Sequence, residues 1–65
     1  MLIKTIVDKN EGRKWDIYKE DNNKYFYNYY EYFSQSGWRI FHDGKKMKDF
    51  YTKDAIEYEF DITVK

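Results

Sequence analysis

The feature that most constrains this chain is a run of aromatic residues in its middle. Seven of the nine residues from Tyr25 to Phe33 are aromatic, and the rings occupy both odd and even positions. Tyr and Phe favour strands, so we predict a strand over residues 24–30. Because successive side chains of a strand point to opposite faces, this strand carries rings on both faces of its sheet. A chain of 65 residues has little material with which to cover both faces.

The end of the aromatic run allows a second interpretation. Asn28 is a good helix N-cap, Glu31 would lie at the third helical position, and Gly37 would end the helix. A short helix over residues 29–36 is therefore the alternative to a longer strand.

Turn residues divide the rest of the chain at intervals of about eight to twelve positions, which is the spacing of an antiparallel β domain. The apolar pattern predicts further strands over residues 2–7, 14–20 and 38–42. Asp43-Gly44 is the strongest short hairpin signal in the chain. Residues 45–51 are therefore predicted to return as a polar edge strand, whose lysines would discourage pairing with other chains.

The C-terminal segment also allows two interpretations. Apolar and polar residues alternate without interruption from Ile56 to Val64, which favours a half-buried strand over 56–64. The alternative is a short helix over 53–60 that begins after Thr52, a good N-cap.

These patterns together define the predicted fold class. We expect a small β-rich single domain over residues 1–65, either all-β or α+β. Its antiparallel sheet would have five to six strands, open or rolled into a barrel, with at most one or two short helices. The chain has no cysteine, which excludes disulfides and thiolate metal sites. The strand parities assign the core to Ile3, Ile6, Trp15, Ile17, Trp38, Ile40, Ile56, Phe60 and Ile62.

No motif in the sequence carries an enzymatic reaction. His42 is the single histidine, and it lies beside a predicted turn with no second His or Cys to share a metal ion. The glycines are isolated, so no phosphate-binding loop is present. We therefore predict no catalytic, cofactor-binding or metal-binding residues, no cofactor, and no enzymatic activity.

The charge is balanced, with 12 acidic and 12 basic residues and a formal net charge of zero. Nucleic-acid binders normally carry a clear basic excess, because neutralising phosphates supplies much of their affinity. Direct nucleic-acid binding is therefore the alternative function and not the leading one. It would combine stacked tyrosines with a basic cluster. That cluster consists of Arg39, Lys45, Lys46, Lys48 and Lys53.

An acidic row is predicted on the polar face of the last strand, at Glu57, Glu59 and Asp61. Alternate residues of a strand lie about 6.6–6.8 Å apart, which is close to the spacing of successive phosphates along a nucleic-acid strand. Such a row would imitate a phosphate backbone and occupy a basic groove of a nucleic-acid-handling enzyme.

The leading interpretation is a non-enzymatic protein-binding module that contacts its partner through a tyrosine-rich surface and the acidic strand face. The Lys-, Asn- and Ile-rich, Pro-free composition is common in AT-rich genomes and indicates a low-GC bacterium or its phage. We therefore expect an inhibitor or adaptor of a phage or other mobile element. We expect a complete, cytoplasmic chain without membrane contact, and a homodimer is a further option. The predicted partner-binding residues are Tyr25, Tyr27, Tyr29, Tyr30, Tyr32, Glu57, Glu59 and Asp61.

Overall fold

A computed structural model describes all 65 residues and contains four strands followed by one helix. The strands form a single antiparallel sheet in the order β1-β2-β3-β4, so each strand pairs with its neighbour in sequence. The elements are β1 (Leu2–Asp8), β2 (Arg13–Asp21), β3 (Lys24–Phe33), β4 (Gly37–Asp43) and α1 (Lys53–Phe60). The prediction of a small β-rich domain with an antiparallel sheet is confirmed, whereas the five to six strands and the barrel do not form.

The aromatic run forms a strand along its whole length. β3 extends to Phe33, so the alternative helix over 29–36 is wrong. The reason is that β3 lies in the middle of the sheet and pairs on both sides. Tyr29 lies opposite Trp15 of β2, and Tyr30 lies opposite Ile40 of β4. Ladder hydrogen bonds on both sides satisfy backbone groups that a helix would have satisfied locally.

The predicted fifth strand is also wrong. Residues 44–48 form a turn, and within 45–51 only Tyr51 pairs, through an isolated bridge to Tyr25. Gly44 allows the chain to pass close to the backbone of β3 and does not form a hairpin turn. Its N–H lies 3.0 Å from the Tyr27 carbonyl oxygen and 3.1 Å from Asn28 Oδ1. A Cβ atom at this position would lie 2.4 Å from the Tyr27 oxygen, so only glycine fits without a shift.

The C-terminal segment is helical over Lys53–Phe60, so the predicted strand over 56–64 is wrong. Thr52 caps the helix, because its Oγ1 accepts a hydrogen bond from Ala55 N at 3.1 Å. Asp61 ends the helix in the left-handed conformation, at φ 52°. The alternation that favoured a strand has two sources. Ile56 and Phe60 share one face of the helix, and the tail at residues 62–65 is non-helical chain.

The core lies on the face of the sheet that α1 and the tail cover. Ile17, Tyr25, Ile56 and Val64 form a buried cluster. The partly buried residues around it are Ile3, Ile6, Tyr27, Tyr51, Phe60 and Ile62.

Of the predicted core residues, Trp15 lies beside Phe60 at the margin of this cluster, and two others lie outside it altogether. Trp38 is 37% exposed and Ile40 is 48% exposed. Both lie on the opposite face of the sheet, because they pair with even-numbered residues of β3, whereas the odd-numbered Tyr25 and Tyr27 belong to the core. Strand parity identified residues that share a face but did not identify the face that the helix covers.

We expect Ile56→Ala to lower the free energy of unfolding by about 2–5 kcal/mol, because Ile56 is fully buried and the change leaves a cavity. Ile40→Ala removes the same atoms from an exposed site and should lower it by about 0.5–1 kcal/mol. Urea unfolding followed by circular dichroism measures both values. Equal losses for the two variants would contradict the assignment of the core to the α1 face.

Candidate functional site

The face of the sheet opposite α1 carries no helix, and its side chains follow from strand alternation. Trp15 and Ile17 of β2 lie on the α1 side, where the ring centroid of Trp15 is 6.5 Å from that of Phe60. Lys14 and Asp16 therefore point to the opposite side. Residues directly opposite each other on neighbouring antiparallel strands share a face. Each cross-strand row on this open face can therefore be read from the register.

One apolar region of the open face combines two such rows. The first row is formed by Val7, Lys14, Tyr30 and Ile40, each paired with the next. In the second row Tyr32 lies opposite Trp38. The tyrosine ring meets the indole edge-to-face, with 5.3 Å between the ring centroids. We call this region the open-face patch, and its members are Val7, Lys14, Tyr30, Tyr32, Trp38 and Ile40.

A single cation lies at the centre of the open-face patch. Lys14 Nζ is 4.6 Å from the ring centroid of Tyr30 and 4.9 Å from that of Trp38. Both distances are within the range of cation–π attraction. The ammonium group is therefore held over two ring faces at the middle of an otherwise apolar surface.

A small pocket opens at one end of the patch, between the turn that joins β1 to β2 and the start of β4. Its volume is about 220 Å³, and it is lined by Lys9, Gly12, Tyr32 and Trp38. Gly12 has a φ of 64° and its carbonyl accepts a hydrogen bond from Tyr32 N at 2.9 Å. Sites for drug-sized ligands are typically about 300–1,000 Å³, so this pocket has the scale of one large side chain.

A polar row borders the patch across all four strands, formed by Thr5, Asp16, Asn28 and Asp43. These groups bond within the protein. Thr5 Oγ1 donates to Asp16 Oδ1 at 2.7 Å, and Asp43 Oδ1 accepts from Lys46 N at 3.1 Å. The row therefore separates the patch from the other end of the face.

A second aromatic cluster, at that other end, is closed. Tyr18 stacks on Phe26 with 4.9 Å between ring centroids, and Phe50 meets Phe26 edge-to-face at 6.1 Å. Phe26 is buried as a result. Burial, followed by the negative charge of Asp16, raises the pKa of Tyr18 above its usual value. The open-face patch is therefore the uncovered aromatic region of this face.

The predicted tyrosine surface is divided between the two faces. Tyr25 is only 2% exposed and belongs to the core. Tyr27 and Tyr29 lie on the α1 side, where the Tyr29 hydroxyl donates to Glu31 Oε2 at 2.8 Å. Tyr30 and Tyr32 reach the open-face patch.

The predicted acidic row does not form, because it required the strand that the helix replaces. Glu57 and Asp61 lie one helical turn apart, whereas Glu59 points in another direction. Glu57 also has a structural role, since its Oε2 accepts a hydrogen bond from Val64 N at 2.7 Å and holds the tail.

The predicted basic cluster is dispersed. Lys45, Lys46 and Lys48 lie in the turn after β4, and Lys45 Nζ is 3.5 Å from Glu20 Oε1. Arg39 lies on the α1 side of β4, with its guanidinium carbon 5.6 Å from the ring centroid of Phe33. Lys53 begins the helix, and its backbone N–H donates to Asn23 Oδ1 at 2.8 Å.

His42 faces the α1 side at the end of β4. Its Nε2 is 3.1 Å from Asp49 Oδ2, and its ring centroid is 5.1 Å from that of Tyr27. No three His, Cys, Asp or Glu side chains come together in an arrangement that could hold a metal ion.

Four members of the open-face patch were absent from the residues predicted as a site: Val7, Lys14, Trp38 and Ile40. Trp38 and Ile40 were assigned to the core by their strand parity. The parity of β3 separates the odd-numbered tyrosines from the even-numbered ones, but no signal in the sequence shows which set the helix covers.

Two further observations complete the surface. A groove of about 390 Å³ separates residues 1–4 from the tail at residues 62–65. The single helix is too short and too polar to cross a bilayer.

Comparison of the chain with protein-family models, with curated proteins and with solved structures finds no match.

Burial, followed by the neighbouring Tyr27, raises the pKa of Tyr51 above its usual value of about 10. Folding therefore favours the protonated phenol. The stabilisation of the fold by the protonated Tyr51 phenol is complete below pH ~10, and it is lost as the pH rises towards the higher pKa of the folded state. We expect Tyr51→Phe to move the alkaline unfolding midpoint to higher pH. The exposed Tyr58→Phe is the control and should leave the midpoint unchanged, so equal shifts would contradict this account.

Proposed function

We propose that this chain is a protein-binding module and that the open-face patch is its contact surface. The proposal is carried by one observation: Val7, Tyr32, Trp38 and Ile40 are all exposed and contiguous on one sheet face. Trp and Tyr are enriched in the cores of protein interfaces, where they supply a large share of the binding energy.

The accessible surface area is larger than expected for a monomeric protein of this mass, which supports the presence of an uncovered face. The accessible surface is 4979 Å² for a mass of 8.2 kDa. The size scaling of monomeric proteins gives about 4,500 Å² for this mass. Only 6 of the 65 residues are buried, so much apolar surface is left for a partner to cover.

Docking on the face is favoured over addition of a strand at an edge. The pairing of β1 shifts register between Leu2 and Lys4. The pairing of β4 shifts between Tyr29 and Tyr30 of its partner, which leaves Phe41 as the extra residue of the edge strand. Bulges of this kind twist an edge and obstruct strand addition.

A protein partner is favoured over a nucleic acid. Bases bind sheet surfaces by stacking on ring faces, but Lys14 already lies over the faces of Tyr30 and Trp38. Asp16 and Asp43 separate the patch from the lysines of the turn after β4, so no continuous basic track for a phosphate backbone crosses this face.

The experiment is quantitative affinity capture from a lysate of a low-GC bacterium, with and without nuclease treatment. We expect Trp38→Ser and Ile40→Ser to reduce retention of the captured protein by about tenfold or more, because each removes an apolar contact from the patch. Tyr58→Ser is the matched control, since Tyr58 is 90% exposed but lies on α1, and it should retain the protein as the unsubstituted chain does.

The three variants should melt within a few degrees of the unsubstituted chain, which separates lost binding from lost folding. Equal retention by all three variants would contradict the assignment of the patch. Retention that disappears on nuclease treatment would favour the nucleic-acid alternative.

A further inference from the structure

We infer that the partner presents a segment with carboxylates on either side of one large apolar side chain, and that this side chain enters the pocket between Tyr32 and Trp38. The inference rests on the proposed function, because it names the chemistry of what the open-face patch binds. It follows from the charge of the patch, the size of the pocket and the position of two lysines.

The charge of the patch is positive and uncompensated within hydrogen-bonding reach. Neither Lys9 nor Lys14 has a carboxylate oxygen within 4.0 Å of its ammonium nitrogen. The ion pairs of the chain are Arg13–Glu11 and Lys45–Glu20, and the carboxylate of Asp49 lies against His42. An apolar partner that covered the patch would bury Lys14 without a counter-ion, which is costly unless the partner supplies one.

The pocket determines which kind of partner side chain lies between the partner's two carboxylates. Tyr32 and Trp38 form aromatic walls, Gly12 leaves space that a side chain would fill, and Lys9 supplies the cation. The volume of about 220 Å³ admits one large side chain and not a drug-sized ligand. Lys14 lies against the Trp38 ring, so the pocket has one lysine in its lining and another beside it.

The same charges argue against a second copy as the occupant. A symmetric dimer places the same patch on both sides of a two-fold axis. An axis through the patch would therefore bring Lys14 of one copy towards Lys14 of the other, and like charges in an interface are unfavourable. Asp16 lies two residues from Lys14 on the same face, but its Oδ1 already accepts a hydrogen bond from Thr5.

The test uses three synthetic peptides and the full chain labelled with ¹⁵N. The peptides are acetyl-Gly-Glu-Phe-Glu-Gly-amide and its counterparts with both Glu residues replaced by Gln or by Lys. Two-dimensional NMR reports the indole N–H of each tryptophan. Trp38 lines the pocket, whereas Trp15 lies on the α1 side against Tyr29 and is an internal control.

We expect the Glu peptide to shift the Trp38 indole signal and to leave that of Trp15 unchanged. It should bind about tenfold more tightly than the Gln peptide and tighter still than the Lys peptide, because only carboxylates pair with Lys9 and Lys14. Lys14→Gln should remove most of this preference. Lys46→Gln changes the net charge equally, at a turn outside the patch, and should preserve it.

Several outcomes would overturn the inference. Equal affinity for the three peptides would remove the acidic requirement, and an unshifted Trp38 signal at saturating peptide would remove the pocket. A Trp38 shift that depends on protein concentration alone would assign the face to a second copy, and a shift with oligothymidylate but not with the Glu peptide would assign it to single-stranded nucleic acid. Capture of a protein that still depends on Trp38 would then show that the proposed function stands although its chemical assignment fails.

Discussion

The packing of one short helix on a four-stranded sheet determines the rest of this structure. α1 has eight residues and is therefore about 12 Å long, whereas β3 alone has ten residues and extends about 33 Å. The helix covers part of one face, where Ile56 meets Ile17 and Tyr25 in the buried cluster. The tail at residues 62–65 extends this cover, and the apolar side chains beyond it are covered by the chain's own rings or left in contact with solvent.

The aromatic residues supply much of that remaining cover. The close approach of Gly44 to β3 brings the following chain alongside the start of that strand, where Tyr51 bridges to Tyr25 on the α1 side and Phe50 packs on Phe26 on the other. This arrangement closes one end of the open face. No segment of the chain packs over the other end of β3 on this face, so the side chains of the open-face patch remain uncovered.

How far the sequence predicts this arrangement depends on the range of the interactions involved. Turn residues and strand periodicity are local, and they located β1 to β4 correctly. The crowding of rings on both parities of β3 correctly indicated exposed aromatic surface. The sequence could not choose which face would be open, because that depends on α1, and the alternation from Ile56 favoured a strand over the helix that Thr52 caps. Trp38 was therefore assigned to the core, and Lys14 was not among the predicted site residues.

The open-face patch and the core on the α1 side differ in exposure to solvent, and NMR with a soluble paramagnetic agent measures this difference. We expect strong attenuation of the Ile40 methyl and Trp38 indole signals, and none for the methyl groups of Ile17 and Ile56, which are fully buried. The measurement uses dilute protein without a partner. Protection of Ile40 equal to that of Ile17 would contradict the account, since it would place the open-face patch inside the core.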